Sequence, residues 1–111
     1  MSEVEDLVTA LVNTLHTTKE YNQYRNLLNR VKEQPELYSR IGEFRRRGLS
    51  LRMAENAIHA NNELQKEFRD LQVNGLANDF LVAERQYCRL VQRLQERFIE
   101  GAGIETDFLD G

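Results

Sequence analysis

Asn74-Gly-Leu-Ala-Asn-Asp-Phe-Leu-Val-Ala-Glu-Arg-Gln-Tyr-Cys-Arg-Leu-Val-Gln-Arg-Leu-Gln-Glu-Arg-Phe-Ile99 is the stretch whose reading decides the fold. Its apolar residues fall at Leu76, Ala77, Phe80, Ala83, Tyr87, Val91, Leu94 and Phe98. Steps of three and four residues put them on one face of a helix. Asn74 is a capping residue, because its side-chain oxygen can accept a bond from a free backbone N–H of the first turn. Gly101 is placed to end the helix. A stripe of this length implies packing against several other helices or against a second chain. Phe80, Tyr87, Val91 and Leu94 are the candidate seam for an oligomer.

The rest of the chain repeats the helical pattern. Ser2 and Glu5 have capping-box spacing, and an apolar stripe follows at Val4, Leu7, Val8, Leu11 and Leu15. Thr17 and Glu20 repeat that spacing ahead of a second helix, whose seam is Tyr21, Tyr24, Leu28 and Val31. Pro35 breaks the chain and suits the first turn of a third helix. That helix has Leu37, Ile41 and Phe44 on its buried face and ends near Gly48. Ser50 is a plausible cap for a fourth, with Ala54, Ala57, Ile58, Leu64, Phe68 and Leu71 in its stripe and Asn61 on the same face. One continuous helix over Pro35–Leu71 is the alternative. The expected architecture is an all-α, up-and-down bundle of four to five helices, with long helices packing into a dimer. It forms a single domain over residues 1–100, followed by a flexible tail over 101–111.

The chain has 111 residues, about one small domain. With one proline, and three of its six glycines in the last eleven residues, the chain has few helix breakers. No apolar run approaches the roughly 18 residues of a membrane span. The acidic N-terminus is unlike a signal peptide, and a single cysteine fits a reducing compartment. A cytoplasmic protein is expected. The net charge of −3 argues against general nucleic-acid affinity, yet it is unevenly spread. Arg25–Arg52 holds eight Lys/Arg against three Glu, a local +5, while Glu100–Gly111 holds four acids and no base.

Little in the sequence can build a catalytic site. His59 and Glu63, four residues apart, can share a helix face and present both groups to a metal, but read more simply as a solvated pair. Cys88 lacks a neighbouring base and reads as half-buried packing. The four tyrosines lie near apolar faces, with hydroxyls at the rims of helix contacts. The sharpest charged feature is Arg45-Arg46-Arg47 with Arg40 and Arg52 nearby. These five are the partner-binding candidates, able to fork onto phosphates or carboxylates or to remain solvated at a helix end.

The order of landmarks resembles a known family. Tyr21-Asn-Gln-Tyr-Arg-Asn-Leu-Leu28 is followed by Val31-Lys-Glu-Gln-Pro-Glu36 and Ile41-Gly-Glu-Phe-Arg45. Then come Gln65, Gln72, Asn74-Gly-Leu-Ala77 and Phe80-Leu-Val-Ala-Glu84. From Val4 to Ile99 this resembles the YlbF/YmcA family of small bacterial helical regulators, including the YheA-type proteins. The resemblance implies a non-enzymatic, often oligomeric protein. Family members act in competence, biofilm formation and sporulation, some within a complex that assists RNase Y in processing messenger RNA. The implied partners are the chain itself, related family members and an RNA-processing nuclease complex. Some members hold iron–sulfur clusters through cysteines, but one cysteine cannot hold a cluster alone, so no cofactor is expected. The alternative function is RNA binding through the basic Arg25–Arg52 segment.

Overall fold

The structure is a computed structural model that describes residues 2–51 and 57–105, with side chains for 2–50 and 59–105. Six helices and no strand occur among the described residues, so the class is all-α. Helix α1 spans Glu3–Leu15, α2 Lys19–Lys32, α3 Pro35–Leu51, α4 Ala57–Glu67, α5 Arg69–Val73 and α6 Gly75–Ala102. The expected four to five helices become six because the stripe ending at Leu71 is cut at Phe68. There the backbone leaves helical geometry (φ −102°, ψ 26°) and isolates the short α5.

Local chemistry sets most helix ends. Ser2 Oγ accepts from Glu5 N–H at 3.2 Å, with Glu3, Glu5 and Asp6 in the first turn, where the helix dipole favours anions. The cap of α2 is Thr18, one residue later than Thr17. Thr18 is extended (φ −72°, ψ 155°) and accepts from Tyr21 N–H. Thr17 instead turns its hydroxyl back to Thr14 O at 2.6 Å. Gln34 N–H closes α2 onto Val31 O, and Pro35 opens α3.

Helix α3 does not end at Gly48. A mid-helix glycine costs only about 1 kcal/mol, and this one faces Leu64, whose Cδ2 lies 3.9 Å from the position a Cβ would take. Ser50 is therefore inside α3, donating to Arg46 O rather than capping a new helix. Ala54 and the α3–α4 junction lie outside the described residues, as does the choice between one helix and two at that point. Asn74 caps α6 through Oδ1, which accepts from Ala77 N–H at 3.0 Å. The stop is Gly103, not Gly101. Only Gly103 takes a left-handed conformation (φ +75°), and Gly101 stays within the helix.

The core is built from α2 to α6. Leu28, Val31, Ile41, Leu64, Phe68, Leu71, Ala77, Phe80 and Ala83 are buried. Tyr24, Leu27, Leu37, Phe44, Leu76 and Leu81 close around them. Helix α2 lies along the first half of α6. Tyr24 stacks on Phe80 and Tyr87 at 5.9 and 5.4 Å, and Phe44 meets Phe68 edge-on at 5.4 Å. Asn61, expected on the buried face of α4, is exposed. Helix α1 buries no residue, so the expected bundle packing does not extend to it.

Candidate functional site

Three arginines of α3 reach carboxylates of their own chain. Arg40 forks onto Asp70, with Nε 3.2 Å from Oδ2 and Nη2 3.1 Å from Oδ1. It also donates to Glu67 O at 3.1 Å and to Glu43 at 3.3 Å, and its guanidinium lies 3.9 Å over the Phe68 ring. Arg45 pairs with Glu84 and lies over Phe80; Arg47 pairs with Glu67 and lies near Phe68. Arg40 thus ties α3 to the α4–α5 corner, Arg47 ties it to α4, and Arg45 ties it to α6. The Arg40 bonds hold the Asp70 carboxyl below the usual carboxylate range, against a smaller opposing effect of desolvation. The bond from Arg47 does the same for Glu67. Both guanidiniums are held still more firmly charged by those bonds.

Of the five partner-binding candidates, Arg40, Arg45 and Arg47 therefore have carboxylate partners in their own chain. Arg46 is exposed and has no ion pair among the described residues, while Arg52 lies outside them. A second set of cations went unremarked in the sequence reading. Arg85, Arg89, Arg93 and Arg97 recur every four residues along α6, all exposed and without an ion pair among the described residues. Their i, i+4 spacing was the available signal.

The oligomer seam candidates divide along α6. Phe80 is 1% exposed, sealed in the chain's own core. Tyr87 is half-buried beneath Tyr21 and Tyr24, and burial, then those two neighbours, push its hydroxyl pKa up. Beyond it, Leu94 is half-buried, while Val91 and Phe98 are exposed. Helix α1, absent from the seam candidates, has Val4, Leu7, Val8, Leu11 and Val12 all exposed.

Cys88 is exposed, which corrects the packing reading: one step past Tyr87 carries it off the buried face. It borders a surface groove with Phe44, Arg45, Glu84 and Gln72. A lone exposed thiol does not fit an iron–sulfur cluster, which needs several thiolates. His59 and Glu63 are both exposed, and Glu63 pairs with Lys66 at 3.7 Å. No group of three or more metal-ligating side chains occurs among the described residues. No described helix is long and apolar enough to cross a membrane.

No curated protein and no solved structure matches the chain. A family profile described as control of competence regulator ComK, YlbF/YmcA, matches residues 4–101. That span runs from the first turn of α1 almost to the end of α6, so it takes in both the core and the exposed stripes. The chain belongs to the YlbF/YmcA family of competence regulators.

Proposed function

We propose that the protein is a non-enzymatic regulatory module that acts by binding other proteins. Its setting is a bacterial complex that influences competence, biofilm formation or sporulation, through RNase Y-dependent processing of messenger RNA. The family match over residues 4–101 carries the reading. The exposed apolar stripe of α1 supports it, because contiguous apolar surface of this kind marks sites of protein association. The polar residues with the strongest contacts, Arg40, Asp70, Arg47 and Glu67, hold the helices together, and the reading assigns them no catalytic step.

Direct RNA binding by Arg25–Arg52 has weaker support, since three of its arginines already serve carboxylates of the chain. The test is affinity purification of the tagged protein from its native cell, with partners identified by mass spectrometry. The proposal expects related family members and components of a ribonuclease complex. Recovery of bare protein, or of RNA without protein partners, would reject it.

A further inference from the structure

The arginines of α6 differ from those of α3. Arg40, Arg45 and Arg47 each reach a carboxylate of the chain. Arg85, Arg89, Arg93 and Arg97 are exposed and make no ion pair or hydrogen bond among the described residues. Glu84, the acid next to Arg85 in sequence, is taken by Arg45. Successive arginines stand about 6 Å apart along the helix axis. Like charges at this spacing repel and weaken a helix. No described carboxylate contacts Arg85, Arg89 or Arg93 to offset that repulsion. A local rule broken without internal compensation is the mark of a functional place.

The nearby acids decide which arginines count. Residues 85–95 hold three arginines and no acid, a local +3. Arg97 stands between Glu96 and Glu100, which cancel its charge. The net −3 of the whole chain does not set the potential here. Exposed charges more than about 8 Å apart are largely screened at physiological salt.

The same run divides by face. Tyr87, Leu90, Val91 and Leu94 continue the apolar stripe of α6. Arg85, Arg89 and Arg93 are turned away from it, with the exposed Gln86 and Gln92 between them at helical spacing. No apolar or aromatic residue falls on this face between Arg85 and Arg93. A protein interface has the reverse character, with a buried centre that is apolar and poor in charge. An interface with nucleic acid is polar and strongly positive. Arginine forks fit phosphate oxygens two at a time.

We propose that Arg85, Arg89 and Arg93 bind the phosphodiester backbone of a single nucleic-acid strand, with Gln86 and Gln92 donating to the same strand. A row of cations one side chain wide can follow one strand. Its contacts are with phosphates, which carry no sequence information, and the face has no ring on which a base could stack. The site lies apart from the Arg25–Arg52 segment. It goes beyond the protein-binding reading above and does not depend on it.

The test is fluorescence anisotropy of a labelled, mixed-sequence single-stranded RNA of about 15 nucleotides, titrated with the full chain between about 50 and 200 mM KCl. The wild type is expected to bind, and log K to fall with log salt at a slope of about −2, from three phosphates at about −0.7 each. Arg85→Gln/Arg89→Gln/Arg93→Gln should bind at least about tenfold more weakly, with a slope near zero. Its melting temperature should hold or rise, because the repulsion along α6 is gone. Arg97→Gln should stay within about twofold of the wild type, since its charge is already cancelled. A DNA strand of the same sequence should bind equally, because the 2′-hydroxyl is not contacted. Absence of binding at the lowest salt, a triple variant that binds like the wild type, an Arg97→Gln loss as large as the triple variant's, or a marked preference for one kind of strand would overturn the proposal. Binding of polyglutamate but not RNA would also overturn it and give the face to an acidic protein. Each of these failures leaves the protein partners captured from the cell, and with them the proposed function, untouched.

Discussion

Phe68 joins α3 to the α4–α5 corner. It is buried at the α4–α5 corner, meets Phe44 edge-on, and lies beneath Arg40 and Arg47. Phe68→Ala should cost about 3–5 kcal/mol, read by urea denaturation followed by circular dichroism. A loss below 1 kcal/mol would mean that the corner is not part of the core. The acid below it makes a different prediction. Asp70 is held below its ordinary pKa chiefly by the Arg40 bonds. Its contribution is therefore present above the unfolded value of about 4, and it is lost as the pH falls through the folded value. Between pH 5 and pH 2 the wild type should lose more thermal stability than Asp70→Asn. The difference should be only a few degrees, because the pair is exposed and screened. Parallel melting-temperature curves for the two proteins would contradict this. From sequence, the arginine run was visible as a charge cluster but its direction was not. Asp70 and Glu84 lie 30 and 39 residues from their partners, and local spacing says nothing about such pairs.

At the scale of elements, periodicity was the reliable guide. The stripes on α2, α3 and α6 named Leu28, Val31, Ile41, Ala77, Phe80 and Ala83, all of which are buried. Boundaries were read less well, because several residues of the right type compete at each end. Thr17 and Thr18 can both cap, and backbone geometry selects Thr18. Gly101 and Gly103 can both terminate α6, and only Gly103 turns left-handed. That distinction has a measurable consequence. Gly101→Ala should stabilise the protein by about 0.5–1 kcal/mol, since it is helical and a Cβ there meets nothing within 4 Å. Gly103→Ala should destabilise it by about 1–2 kcal/mol through left-handed strain. Thermal melts of the two variants should shift in opposite directions, and shifts of the same sign would refute the placement of the cap. Likewise Asn74→Ala should cost about 1 kcal/mol, while an unchanged melt would remove Asn74 as the cap.

For the whole molecule, the all-α class and the family were both legible in the sequence, the first from spacing and the second from the order of landmarks. The fate of α1 was not. An amphipathic stripe reports that a helix has a face to cover, and it does not say which chain covers it. Helix α1 and the buried half of α6 have the same kind of pattern, yet α6 buries Ala77, Phe80 and Ala83 while α1 buries nothing. The proposed account joins these facts. It proposes that this YlbF/YmcA-type regulator works through protein contacts and places those contacts on the exposed helices. Affinity purification of the wild type from its native cell, beside a Leu7→Glu/Leu11→Glu variant shown by circular dichroism to remain helical, tests this most directly. The account predicts protein partners captured by the wild type and lost from the variant, whose α1 stripe is broken. The same partners captured by both proteins, or by neither, would contradict it.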